Sequence, residues 1–411
     1  MTEKKAGVPG RRLSLAVMLF FFLAFLLLAL KRQSRLGYLL SVAVPVLIWL
    51  GTSFLPHLFP TDRLLMSLAN FLCALGVLVL FDTNPAYALQ QAVSYGIGLA
   101  AMIFCICLVR MARFRKKLIW LMIPCSLLLL VLPLVLGKEI NGAKNWVSLG
   151  ALSFQPSEIV KLSLILILAF SFSRGSRGTG LLFVLICLGL LMLQKDLGTA
   201  LLYFSVTLLM YWISTGNLVF TSLGILGGAG AAVFGYHQFA HVRRRVAVWL
   251  NPWADYENAG YQIVQGLMAI ASGGLWGVGL GLGTPTAIPV YESDYIFAVI
   301  CEQFGLIFGV CVLLIYAALI WRGTEIALAS RRSFYGLLAM GSTALIGMQA
   351  FVILGGVLKL LPLTGVTLPF VSYGGTSLIS SLCLIGFIQG VGSVNEDHLA
   401  GEARLRVLSG R

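Results

Sequence analysis

The chain has 411 residues, 59% of them hydrophobic and only 11% charged, with a mean hydropathy of +0.95 and a formal net charge of +14. Soluble domains carry roughly one quarter charged residues, so a soluble fold is excluded. Apolar runs of about 20 residues recur along the whole length and mark a polytopic helical membrane protein, while the strand alternation of an outer-membrane barrel is absent. The basic residues lie in short loops, where they orient the protein and attract anionic membrane lipids. With no basic domain or recognition motif, nucleic acid is excluded as a partner.

Twelve spans are predicted, over 14–30, 36–55, 64–81, 88–109, 118–136, 158–173, 180–194, 197–213, 218–238, 295–320, 334–358 and 375–392. The run 14–30 has basic flanks but no small-residue cleavage site, so it is read as a retained span. An even number puts both termini on one side. With the termini cytoplasmic, inside loops hold Arg110, Arg113, Arg115, Lys116 and Lys117, then Arg174 and Arg177, then Arg322, Arg331 and Arg332, as the positive-inside rule requires. Lys31, Arg32 and Arg35 disagree, because they fall outside. If 36–55 were only interfacial, the N-terminus would flip and the rest would keep its orientation; the expectation is two true spans. The eight cysteines all sit in apolar segments and form no CxxC, so they read as small core residues, not as a disulfide frame or metal site.

Three outer segments break the hydrophobic pattern: 137–157, 239–294 and 359–374. The second contains IVQGLMAIASGGLWGVGLGLG, too glycine-rich for a good span, and is expected to be interfacial or re-entrant. Lys144 and Trp146 of GAKNW lie on the first outer segment, the indole as an interfacial anchor and the ammonium in position to meet a phosphate. In QPSEIVKL, Pro156 and Ser157 mark a helix start with Ser157 as N-cap, and Glu158 and Lys161 share a face at i,i+3. That pair reads either as an ion pair that locks helix packing or as the charged wall of a water-filled cavity. Lys195 and Asp196 sit between two apolar runs too closely spaced for a loop, so Asp196 is at a tight helix corner, as a cap or as a cavity-lining carboxylate. His237 and His241 have the i,i+4 spacing of a metal pair, but no third ligand is obvious. Arg243, Arg244 and Arg245 either snorkel to head groups or clamp a phosphate-bearing substrate.

In VYESDYIFAVICEQFG, Asp294 directly precedes an apolar run and so lies at a helix N-terminus, where the dipole favours a carboxylate. Glu302 follows eight residues later, about 12 Å deeper by helical rise, where it needs a partner or a proton. Glycoside hydrolysis wants two carboxylates flanking the bond. Glycosyl transfer from a lipid pyrophosphate wants one general base for the acceptor hydroxyl, with cations to help the leaving group.

Five motifs, GAKNWVSLGALSFQPSEIVKLS, QKDLGTALL, GYQIVQGLMAIASGGLWGVGLG, ESDYIFAVICEQFG and LPLTGVTLPFVSYGGTS, occur in that order. Over about residues 61–393 the chain resembles the SEDS family (shape, elongation, division and sporulation), the FtsW/RodA/SpoVE group. The resemblance implies an all-α membrane fold with a ten-helix core, preceded by an N-terminal extension (1–60) with two spans and followed by a cytoplasmic tail (394–411). It implies a peptidoglycan glycosyltransferase that polymerises lipid II on the outer face of the cytoplasmic membrane, with a class B penicillin-binding protein as crosslinking partner. It maps the catalytic aspartate onto Asp294, an outer tryptophan onto Trp146, and an acid–base pair onto Glu158 and Lys161. Lys144, Asp196, Arg243, Arg244, Arg245, Glu292 and Ser372 complete the expected substrate-binding set. Glu292 is expected to help hold a divalent cation, Mg2+ or Mn2+, against the pyrophosphate, and Glu302 to order helix packing. The chain departs from the family pattern at Lys195, Tyr295, Gln303 and Thr364, and its subgroup stays open.

Two rival readings remain at this stage: a transporter that flips lipid II, for which cavity charges and broken helices also suit, and a scaffold that only recruits a transpeptidase. Polar groups crowd the outer side, which favours the enzyme. Gly336, Gly341, Gly347, Gly355 and Gly356 are expected to let a partner's membrane helix approach closely.

Overall fold

The structure is a computed structural model that describes residues 8–111, 116–140, 143–149 and 152–408; Arg113 and Arg115 lie outside these. The apolar runs form helices because a backbone in hydrocarbon must satisfy its own hydrogen bonds. In chain order they are α1 (Val8–Arg32), α2 (Arg35–Trp49), a π turn (Leu50–Phe54) leading into α3 (Leu55–Leu58), α4 (Arg63–Thr83), α5 (Pro85–Met111) and α6 (Lys116–Leu136). After a small sheet come α7 (Pro156–Ser173), α8 (Arg177–Leu193), α9 (Leu197–Thr215), α10 (Leu218–Gln238), α11 (Ala240–Leu250), α12 (Tyr261–Gly273), α13 (Ile296–Leu328), α14 (Ser333–Val357) and α15 (Gly375–Leu408). Among the described residues, 11 helices are long and apolar enough to cross a membrane, and the shorter apolar α8 supplies the remaining predicted span. Both spans of the N-terminal extension are formed. The last helix does not stop at 392 but continues to Leu408.

The interior of the bundle is α4, α7, α14 and α15, whose spans are mostly buried, whereas α10 is almost wholly exposed, as a helix facing lipid would be. The segment 137–157 is not all loop. It contains β1 (Lys138–Ile140), β2 (Ala143–Leu149) and β3 (Leu152–Phe154), an antiparallel sheet in the order β1-β2-β3 with Trp146 opposite Lys138. All eight cysteines are free.

The expected re-entrant element is α12 followed by a glycine-rich arm, residues 274–284. Its backbone is satisfied by a break in α13. Gly305 (φ 85°, ψ 168°) takes a conformation open essentially to glycine alone. Around that break, Val278 N–H donates to Glu302 O (2.9 Å), Gly279 N–H to Gln303 O (3.0 Å) and Leu306 N–H to Gly274 O (2.9 Å). The arm and the broken helix thus complete each other's hydrogen bonding, which a re-entrant segment requires.

The small residues of α14 do not form the expected open face. A Cβ on Gly341 would meet Met210, one on Gly347 would meet Ile320, and those on Gly355 and Gly356 would meet Leu361 and Leu363. They admit the chain's own side chains.

Candidate active site

Asp294 stands two residues before α13, at the end of a turn over 290–294. Ser293 Oγ donates to Asp294 Oδ1 (2.8 Å). The turn is held from behind by the loop 359–374. Tyr373 N–H donates to Glu292 O (2.8 Å), and the Ser372 hydroxyl donates to Ser293 O while accepting from Leu368 N–H (2.9 Å). Gln91 Nε2 in turn donates to Ser372 O (2.9 Å). Ser372 is buried, and its hydroxyl is fully engaged with backbone. It was expected to touch substrate; in this structure its hydroxyl joins the Asp294 turn to the 359–374 loop. Burial pushes the Asp294 carboxyl above the ordinary carboxylate range; the Ser293 hydroxyl and the Arg245 cation pull it back, and the nearby Glu292 pushes it further up.

The cation beside Asp294 comes from α11. His241, Arg245 and Trp249 recur at i, i+4 and i+8 and so share one face. Arg245 Nη1 donates to Thr364 O (3.0 Å) and Leu363 O (3.3 Å), and Trp249 Nε1 to Lys359 O (3.1 Å). A Cβ on Gly365 would lie 3.9 Å from both Arg245 Nη2 and Asp294 Oδ2. Helical rotation of about 100° per residue turns the other two arginines away. Arg243 Nη1 donates back to His237 O (3.0 Å), and Arg244 lies near the half-buried Asp255. Of the three arginines, Arg245 is the one on the Asp294 side.

The histidine pair dissolves for a similar reason. α10 ends at Gln238, and Phe239 is extended (φ −106°, ψ 113°), so His237 and His241 belong to different helices. Among the described residues, no group of three or more His, Cys, Asp or Glu side chains is placed to hold a metal ion. Partial burial, then the Arg245 and Lys195 cations, hold the His241 ring below its usual pKa.

Lys195 (φ 60°) and Asp196 form the α8–α9 corner. Asp196 caps α9, accepting from Thr199 N–H (3.1 Å), and also accepts from Asn145 Nδ2 (3.1 Å) and Gln155 Nε2 (3.0 Å). Of its two expected roles, capping is the one formed. Lys144 N–H donates to Gln194 O (3.0 Å), which fixes β2 to the same corner. The Lys144 side chain is exposed and Trp146 partly buried on that strand.

Glu158 and Lys161 form the expected i,i+3 ion pair. Glu158 Oε2 also accepts from Ser380 Oγ (2.6 Å), and Lys161 Nζ donates to Gln349 Oε1 (3.2 Å). Gln349 Nε2 continues to Thr367 O (2.9 Å). The pair ties α7, α14, α15 and the loop behind Asp294 together. Ser157 is not the N-cap: Pro156, with its preset φ, opens α7 two residues earlier than expected, so Gln155 occupies the cap position and the Ser157 hydroxyl is buried without a hydrogen-bond partner. Glu302, expected to order helix packing, is 5% exposed and accepts from Thr284 N–H (3.0 Å) and Oγ1 (3.2 Å), so it holds the arm against α13. Sequence reasoning missed Trp249, Gly365 and Tyr373. The spacing RxxxW within RRRVAVW, read as a helix face, carried a signal for the first.

Residues 63–396 match the family described as the cell cycle proteins FtsW, RodA and SpoVE. The chain is 32% identical over 361 residues to the peptidoglycan glycosyltransferase RodA of Mycobacterium tuberculosis, covering 80% of this chain and 77% of that one. It is 36% identical over 327 residues to the stage V sporulation protein E of Bacillus subtilis, covering 76% and 88%. A solved structure described as the structural coordination of polymerization and crosslinking by a peptidoglycan synthase complex contains a chain 31% identical, with a TM-score of 0.69, covering 82% of this chain and 98% of that one. The five motifs, the helical bundle, the site at the head of α13 and these matches together place the chain in the FtsW/RodA/SpoVE family.

Proposed function

We infer that the protein is a peptidoglycan glycosyltransferase that polymerises lipid II into glycan strands on the outer face of the cytoplasmic membrane. The setting of Asp294 carries the reading. It is a carboxylate at a helix head, raised by burial toward the range of an effective base, with one guanidinium across Gly365. In the reaction, the acceptor sugar hydroxyl attacks the anomeric carbon of the lipid-linked sugar. Asp294 takes the hydroxyl proton as the new glycosidic bond forms, and the bond to the lipid diphosphate breaks. The diphosphate leaves with the electron pair. Arg245 is placed to meet its charge, with the exposed Lys144 and Lys195 further along the same polar end. Ser293, Ser372 and Tyr373 hold the base in place.

Glu292 is the residue that would hold a divalent cation shared with the diphosphate. A single carboxylate such as Glu292 suits Mg2+ or Mn2+, which bind through one or two carboxylates plus substrate phosphates. Such an ion would neutralise charge on the leaving group.

The relative in a peptidoglycan synthase complex supports a class B penicillin-binding protein as partner. The broken α13 and its arm also suit a lipid II transporter. Purified protein given fluorescent lipid II, with and without that partner, separates the two. A polymer ladder from the native protein, absent with Asp294→Asn, supports the enzyme. No ladder from native protein with its partner present overturns it in favour of transport.

A further inference from the structure

The family match begins at residue 63, so α1, α2 and α3 lie outside it. Yet they are firmly docked. Phe21 and Phe25 of α1 are fully buried, and the Phe25 ring packs 6.1 Å from Phe81 of α4. Asn70 Nδ2 of α4 donates to Ile48 O (3.4 Å) just before the π turn, and Tyr95 OH donates to Asn70 Oδ1 (2.7 Å). The corner between α1 and α2 holds the cations that defied the positive-inside pattern, and two of them have partners inside the protein. Lys31 Nζ donates to Gly281 O in the arm (3.0 Å). Arg32 Nη2 pairs with Asp82 Oδ1 (2.7 Å) at the end of α4. The second oxygen, Asp82 Oδ2, accepts from Gln303 Nε2 (2.6 Å). Gln303 follows Glu302 in the segment of α13 that begins just after Asp294 and ends at the Gly305 break.

Asp82 is 4% exposed. A buried carboxylate demands charge compensation, and here it receives a guanidinium from the extension and an amide from the helix that Asp294 heads. Gly281 (φ 74°) closes the arrangement: a Cβ there would lie 2.9 Å from Asp82 Oδ1, 3.1 Å from Leu28 Cδ2 and 3.3 Å from Lys31 Nζ. A side chain at 281 would therefore separate the arm from the corner.

We propose that the two-helix extension is an in-chain brace for the active end of the molecule, in which Lys31 and Arg32 are positioning residues. Lys31 holds the arm directly. Arg32 acts through Asp82 and Gln303 on the first half of α13. The 359–374 loop holds both the Asp294 turn and the Arg245 helix; the brace adds a second hold, on the α13 side of that turn. The effect on catalysis rests on the reading of Asp294 as the base; the mechanical coupling does not.

The test compares native full-length protein with Lys31→Gln, Arg32→Gln, Arg32→Lys and Asp82→Asn, by amide hydrogen exchange and by lipid II polymerisation. The expected result is about tenfold faster exchange in 274–284 and 296–304 for Arg32→Gln and Asp82→Asn, which is the scale of losing one charge-assisted hydrogen bond. Exchange in α7 and α15 stays unchanged. The kcat falls severalfold while KM for lipid II stays within about twofold, and Arg32→Lys retains most of both. Lys31→Gln, an exposed change that leaves the buried pair intact, speeds exchange in the arm alone. Unchanged exchange at 274–284 in all four variants overturns the brace. So does uniformly faster exchange across the chain, which reports general loosening. Local exchange changes with Asp294→Asn still polymerising would keep the brace and remove the proposed base.

Discussion

Arg245 and Asp294 face each other across Gly365 without forming an ion pair: the guanidinium spends Nη1 on the carbonyls of Leu363 and Thr364 while Nη2 lies on the carboxylate side of the glycine. A direct pair would hold the carboxylate ionised but poorly basic. The Arg245 cation still lies close enough to lower the carboxyl's pKa.

Replacing Asp294 by Asn removes the base and keeps the shape, including an acceptor for Ser293 Oγ. Polymerisation is expected to fall by about 10²–10⁴-fold, the usual worth of a positioned general base, with thermal stability in detergent unchanged. A normal polymer ladder from this variant would remove Asp294 as the catalytic group.

The acid side of the pH profile follows from the same carboxyl. A base must be deprotonated to work, so activity drops as pH falls through its pKa, which burial raises above the ordinary aspartate value. The Arg245 cation opposes that rise. Arg245→Gln therefore moves the acid limb of kcat to higher pH, and Glu292→Gln, which removes a neighbouring negative charge, moves it to lower pH. Shifts in the reverse directions, or none, would show that another group titrates.

The three adjacent arginines separate in binding. Arg245→Gln is expected to raise the lipid II concentration for half-maximal rate by about tenfold, the scale of one charge-assisted contact. Arg243→Gln and Arg244→Gln are expected to stay within about twofold, because their side chains point to His237 and Asp255. Equal, small effects from all three would return them to lipid head groups.

Much of this was legible before any coordinates. Long apolar runs have one solution in a membrane, so the helices could be placed from hydropathy, down to α8 with only 17 residues. Asp294 was legible because a carboxylate abutting an apolar run lies at a helix mouth. What the sequence concealed was set by contacts far along the chain. Gly305 looks like an ordinary helix glycine until the arm supplies the carbonyls that accept from the freed N–H groups of Leu306 and Ile307. RRR gives no sign of which guanidinium faces Asp294 until Phe239 breaks α10 from α11 and fixes the rotation of the second helix. Nothing in the sequence around Ser372 marks it as buried. Its burial depends on Gln91 and Ser293, distant in the chain.

The Glu158–Lys161 pair is predicted to act on stability. Both side chains are largely buried. Lys161→Met leaves an uncompensated carboxylate and is expected to cost about 3–5 kcal/mol, seen as a lower unfolding temperature and folded yield. Adding Glu158→Gln should recover most of that loss. If the double variant is as unstable as the single one, packing of the lysine stem, not the charge pair, is what the site needs.

Ser372 supplies the last separation. Its hydroxyl joins Leu368 N–H to Ser293 O directly beside the base. Ser372→Ala leaves both backbone groups without that partner, at about 1–3 kcal/mol for a buried unmet group. Because the Asp294 turn then loses its support from behind, kcat is expected to fall several-fold with KM for lipid II little changed. Ser372→Cys, which keeps a weak donor, should fall between alanine and the native protein. A rise in KM alone, with stability and kcat preserved, would instead place the hydroxyl in contact with substrate, which requires the 359–374 loop to swing out from behind Ser293.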